Sequence, residues 1–160
     1  MNYDALKLEN QLCFPLYACS RKVVKEYKPF LDEIDLTYTQ YIVMMVLWEK
    51  KSMNVKNLGE SLYLDSGTLT PLLKKLESNG FISRTRSAED ERNLIVAITH
   101  KGEELKDKAI EIPLKLASCL NLSLEETKVL YSLLYKMLGE SKEVNGECSN
   151  LINGSIICHP

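Results

Sequence analysis

The chain has 160 residues, 45% of them apolar and 26% charged, and carries a formal charge of −2. That length and balance suit a single soluble domain with a real hydrophobic core and exclude a uniformly basic, histone-like protein. No apolar run approaches the ~20 residues of a membrane span, and the opening Met1-Asn2-Tyr3-Asp4 does not begin a secretory signal, so the expected location is the cytoplasm, with no membrane partner.

Residues 6–27 place Cys13, Leu16, Tyr17, Val24 and Tyr27 on one face at helical spacing. Pro15 either kinks that helix or starts it locally, and "KPFLDEIDL" breaks the pattern at Pro29. Thr37-Tyr38-Thr39-Gln40 has the form of a capping box, and the helix it opens, "YIVMMVLWEK", is apolar on every side, as suits the centre of a domain. Asn54 caps a short helix, "VKNLGESLY"; Asp65 or Ser66 caps the next, "GTLTPLLKKLESNG", which Gly80 stops. Pro71 fits there only within the first turn or two.

Two alternating segments, "FISRTR" and "NLIVAIT", flank the charged tip "SAEDER" and predict a β-hairpin. Thr99 caps a long helix to about Leu120, bent at Pro113. Ser123-Leu124-Glu125-Glu126 is a second capping box, opening a last helix to about Gly139. Beyond Ser141 the chain is rich in Asn, Gly and Ser without sustained periodicity, which predicts a flexible tail over 141–160.

Short helix, turn, second helix and hairpin follow in the order of a winged helix-turn-helix, whose second helix enters the major groove of DNA. The fold class is therefore mainly α with a small β-hairpin wing. Ser66, Thr68 and Thr70 sit near the start of that second helix, where they can reach base edges or phosphates. Lys74, Lys75, Arg84 and Arg86 oppose Glu77 alone, a local +3, and Arg92 beside Asp90 at the wing tip suits a narrow minor groove. Composition alone also allows the bland alternative, in which the lysine pair is a solvated face. Leu69, Leu72, Leu73 and Leu76 read as core.

Five cysteines, at 13, 19, 119, 148 and 158, are odd in number and irregularly spaced, which does not suggest a disulfide framework. Cys13 on an apolar helix face is either inert packing or a reactive thiol. Cys19 lies on another face and reads as packing. Cys148 and Cys158 with His159 are too few and too loosely spaced for structural zinc, so neither metal nor cofactor is expected.

The stretches "LENQLCFPLYA", "LTYTQYIVMMVLWE" and "LDSGTLTPLLKKLESNGFISRTRSAEDERNL" resemble the MarR-type regulators, and in combination their organic-hydroperoxide-sensing branch, the OhrR repressors. The likeness runs from about Leu6 to Leu138. It implies one winged-helix domain over 1–140, with the DNA-binding core at about 38–98, and an obligate homodimer held by N- and C-terminal helices. It implies a non-enzymatic repressor on a pseudo-palindromic operator of double-stranded DNA.

In that family the cysteine of "QLCF" senses the peroxide, here Cys13. Two tyrosines of the partner subunit support its thiolate and map onto Tyr27 and Tyr38. Tyr17 is counted with them, and Phe14, Leu16 and Tyr17 offer apolar surroundings suited to an organic hydroperoxide. Oxidised family members capture either a low-molecular-weight thiol or a second cysteine. The usual position of the latter is Leu122 here, which leaves Cys119, three residues earlier, as the candidate resolving thiol. The rival readings are a MarR-type regulator induced by a small aromatic ligand with Cys13 structural, a thiol peroxidase, and a protein-interaction winged helix.

Overall fold

The computed structural model describes residues 2–86, 93–117 and 121–140. Polar side chains set where its helices begin. Thr37 and Gln40 form the expected reciprocal capping box at the start of α2 (Tyr38–Lys50), and Ser123 and Glu126 do the same for α7 (Leu124–Met137). Asn54 caps α3 (Val55–Leu62), Asp65 caps α4 (Ser66–Ser78) and Thr99 caps α5 (His100–Ala109).

The first helix departs from its expected span. Two 3-10 turns, Asp4–Leu6 and Leu8–Asn10, come first, with the Asn10 amide donating to the Asp4 carbonyl (2.8 Å). Helix α1 then runs Cys13–Asp32. Pro15 is its third residue, where a missing N–H costs no intrahelical bond, so the proline marks a local start. Pro29 does not end it; the helix continues to bury Leu31 at 2% exposure, and Ile34 and Leu36 follow into the core.

The helix expected over 99–120 is two helices, α5 and α6 (Ile112–Ala117). Pro113 has no N–H for the carbonyl of Ala109 and its ring crowds that oxygen, and α5 stops at Ala109. The interruption therefore precedes the proline.

The hairpin strands are β2 (Ile82–Arg86) and β3 (Leu94–Ile98), in register Ile82↔Ile98 through Arg86↔Leu94. A strand not expected from the sequence, β1 (Ser52–Asn54), pairs antiparallel with β3 to give the order β1-β3-β2. Three residues are too few to display alternation, so this strand exists only because β3 offers it an edge.

Residues Tyr27–Ile110 pack as one compact unit; those up to Glu26 and from Glu111 onward group separately. The core of the first contains Val43, Met44, Leu47, Leu58, Leu76 and Val96, each fully buried. Helix α2 is not buried all round as its composition suggested, since Met45 is exposed. Among the described residues no helix is long and apolar enough to cross a membrane.

One backbone contact organises this unit. A Cβ at Gly102 would lie 2.2 Å from the Phe81 carbonyl oxygen and 2.8 Å from Ile98 Cγ1. Around it, Trp48 Nε1 donates to the Gly102 carbonyl (2.8 Å), the Thr99 hydroxyl donates to the Gly80 carbonyl (2.7 Å), and Thr99 N donates to Phe81 O (3.0 Å). Gly102→Ala should therefore destabilise the fold by about 1–3 kcal/mol, the usual cost of overpacking, as read by urea unfolding. Thr99→Ala, which loses the cap and the Gly80 bond, should cost about 1–2 kcal/mol. Wild-type stability in the Gly102 variant would mean that α5 does not press on Phe81.

Candidate nucleic-acid interface and candidate sensor thiol

The turn between α3 and α4 is built at close range. Tyr63 takes a left-handed conformation (φ 54°), Leu64 N donates to Gly59 O (2.9 Å), and a Cβ at Gly59 would stand 2.8 Å from the Leu64 carbonyl oxygen. Asp65 then holds the first turn of α4 with both carboxylate oxygens, Oδ1 accepting from Thr68 N and Oδ2 from the Thr68 hydroxyl, each at 2.9 Å. Those bonds, the backbone one first, hold the Asp65 carboxyl below its usual range.

Helix α4 divides cleanly. Leu69, Leu72, Leu73 and Leu76 are buried as expected, while Ser66, Thr68, Thr70, Lys74 and Lys75 are exposed together with Gly67 and Pro71. Pro71 falls in the second turn. The Thr70 hydroxyl donates to the Ser66 carbonyl (2.7 Å).

The charges of the expected basic patch are not equivalent. Arg84 is only 19% exposed and its guanidinium donates to Glu77 through Nε (2.9 Å) and Nη2, tying β2 to α4. Those hydrogen bonds hold the Glu77 carboxyl below its usual range. The pairing takes up the one acid of the patch and Arg84; the side chains of Lys74, Lys75 and Arg86 are exposed. Asp90 and Arg92 lie outside the described residues.

The tyrosines singled out in the sequence meet each other. Tyr27 on α1 and Tyr38 on α2 have ring centroids 4.9 Å apart, and Tyr41, which the sequence reading passed over, stands 5.8 Å from Tyr27. Its spacing of three from Tyr38 on a helix was the available signal. Tyr41 in turn meets the edge of Trp48 at 6.0 Å. Burial is the main reason all three phenols are harder to ionise, with the neighbouring phenols adding to it for Tyr27 and Tyr41; Tyr41 is pushed up to about 12. Among the described residues no hydrogen bond engages these three hydroxyls, which stay protonated donors at neutral pH.

Cys13 is a free, exposed thiol and the first residue of α1. Cys19 is also free and exposed, against the expectation that it packs. Tyr17, one turn beyond Cys13, is exposed, accepts from Arg21 Nη1 (2.7 Å) and lies under its guanidinium at 5.6 Å. Cys119 lies outside the described residues, as do Cys148 and Cys158. Among the described residues no cluster of His, Cys, Asp or Glu could hold a metal ion.

Residues 25–109 match the family described as transcriptional regulator SarA/Rot. The organic hydroperoxide resistance transcriptional regulator of Bacillus subtilis (strain 168) is 51% identical over 136 residues, covering 85% of this chain and 92% of its own. The chain belongs to the SarA/Rot family of transcriptional regulators. It belongs with that organic hydroperoxide resistance regulator as a relative, and it shares the winged-helix fold of solved MarR-type structures.

Solved structures of AbfR, a protein of Staphylococcus epidermidis, resemble this SarA/Rot regulator at 35–36% identity. The reduced form bound to DNA superposes with a TM-score of 0.71, covering 87% of this chain and 97% of that one. The disulfide-formed state gives 0.59, covering 85% and 92%.

The phenol cluster of this SarA/Rot regulator leaves a mark in its alkaline behaviour. A folded-state pKa raised above the ordinary value of about 10 means that the cluster's contribution to stability is complete below pH 10 and lost as pH climbs toward 12. Absorbance at 295 nm should show exposed tyrosines ionising first, and the clustered ones only as helical circular dichroism falls. If all eight tyrosines titrated together near pH 10 with the fold intact, the cluster would be wrongly placed.

Proposed function

We propose that the protein is a cytoplasmic, homodimeric repressor that holds a pseudo-palindromic operator while Cys13 is reduced and releases it when an organic hydroperoxide oxidises that thiol. The observation that carries the reading is the coexistence of a freely exposed Cys13 with a winged helix-turn-helix whose α4 presents hydroxyls and lysines on one exposed face. The similarity to the Bacillus subtilis organic hydroperoxide regulator, and to AbfR in reduced DNA-bound and disulfide states, supports the same assignment.

The dimer is supported by apolar side chains that one chain leaves uncovered. Helix α7 buries none of its residues although Val129, Leu130, Leu133, Leu134 and Met137 lie along it, and Leu12 and Phe14 are exposed beside the thiol. In the family that the sequence resembles, the phenols that support the thiolate come from the second subunit, and here they are Tyr27 and Tyr38. Tyr27 and Tyr38 are suited to the task as neutral donors with no other hydrogen bond among the described residues.

In the reaction the Cys13 thiolate sulfur attacks one peroxide oxygen, the O–O bond breaks and the alkoxide leaves as an alcohol after taking a proton, giving a sulfenic acid. Condensation with a second thiol, Cys119 or a low-molecular-weight one, forms a disulfide and releases water. A sulfur so enlarged displaces the phenols, and Tyr38 stands at the opening of α2. Rotation within the dimer then spoils the spacing of about 34–36 Å that two recognition helices need on one face of DNA.

Binding of reduced protein to a selected palindromic duplex should weaken at least tenfold after treatment with cumene hydroperoxide, while Cys13→Ser stays bound. Equal release of wild type and Cys13→Ser would place the signal elsewhere. Affinity should also fall steeply between 50 and 200 mM salt, as expected where lysines neutralise phosphates.

A further inference from the structure

Three phenols meet within the 27–110 unit, and only Tyr27 and Tyr38 act as donors in the proposed reaction. Those two are half-buried, as suits groups that face a second subunit. Tyr41 is 2% exposed, so its ring belongs to the core. It lies 5.8 Å from the Tyr27 ring and one helical turn after Tyr38 on α2.

The far side of Tyr41 is held in place. Its ring meets the edge of Trp48 at 6.0 Å, and the Trp48 indole donates to the Gly102 carbonyl (2.8 Å). At Gly102 even a Cβ has no room against the Phe81 carbonyl, so that peptide cannot retreat toward the turn after α4. The aromatic rings therefore form a column with one end at the half-buried phenols and the other anchored on backbone.

No hydrogen bond among the described residues fixes the Tyr27 or Tyr38 hydroxyl, so packing of the rings sets where those hydroxyls point. Aromatic side chains have few rotatable bonds, and close-packed interiors absorb little displacement. We infer that Tyr41 is a positioning residue for the sensor phenols. Its ring, braced by Trp48 against the Gly102 carbonyl, holds Tyr27 and Tyr38 where they can donate, and displacing them moves Trp48. This rests on the reading of Cys13 as the sensor thiol and adds the residue that places its donors.

The test mixes reduced full-length protein with cumene hydroperoxide and follows two readouts together. One is Cys13 oxidation by peptide mass spectrometry; the other is emission from Trp48, the single tryptophan of the chain. In wild type the emission should change in step with Cys13 oxidation, and in Cys13→Ser it should stay constant. Tyr41→Phe keeps the ring and should keep both the emission change and the oxidation rate. Tyr41→Leu should slow Cys13 oxidation by about tenfold, because misplaced groups cost rate steeply, and should lose the emission change.

A ring that only filled the core would lower stability in Tyr41→Leu and leave both readouts as in wild type, which would overturn the inference. So would oxidised Cys13 with unchanged Trp48 emission in wild type, the same emission change in Cys13→Ser, or loss of the response in Tyr41→Phe. These last three outcomes decide the matter even if Tyr41→Leu does not fold. Cys13 left unoxidised by the peroxide in wild type would overturn the sensor reading itself and the inference with it, which separates the two failures.

Discussion

A carbonyl oxygen stands where residue 102 would need a side chain, and the rest of the 27–110 unit is arranged around that fact. Because Gly102 carries no Cβ, α5 presses backbone to backbone on the turn that follows α4. The indole of Trp48 closes the contact from α2, and the Thr99 hydroxyl closes it from the end of β3. Close-packed interiors transmit such a constraint without slack. The end of α4, the start of β2 and the end of β3 are therefore fixed to one another.

The same economy governs charge. A free arginine on β2 would have counted toward a DNA-facing patch, but pairing with Glu77 makes Arg84 a strut between strand and helix. What remains exposed for a polyanion on α4 is the pair Lys74 and Lys75, beside Thr68 and Thr70, whose hydroxyls donate to Asp65 and Ser66. In the proposed mechanism affinity then comes from lysines neutralising phosphates.

The sensing side depends on a different physical property, incompleteness. Helix α7 buries nothing and the Cys13 region exposes leucine and phenylalanine, so these segments look for a second chain. The phenols of Tyr27, Tyr38 and Tyr41 are kept neutral by burial and by each other, yet their hydroxyls have no hydrogen-bond partner among the described residues. Protonated phenols of this kind are what a thiolate from another subunit would need.

Local chemistry was legible in the residues themselves. Caps at Thr37, Asn54, Thr99 and Ser123, one of the two capping candidates named for α4, the leucine stripe of that helix and both hairpin strands could be read because each depends on neighbours within a few positions. Cys13, Tyr27 and Tyr38 could be singled out, the tyrosines through a resemblance and the cysteine partly by its helical face. Other features needed partners distant in the chain. Strand β1 exists because β3 supplies its hydrogen bonds, α1 passes Pro29 because Leu31 has a core to enter, Arg84 turns to Glu77 because strand and helix meet, and Gly102 is obligatory because Phe81 arrives there. Where elements begin, and which chemistry they carry, follows from residues close in the chain; which charges are paired and which phenols cluster depends on long-range approach that no local pattern encodes.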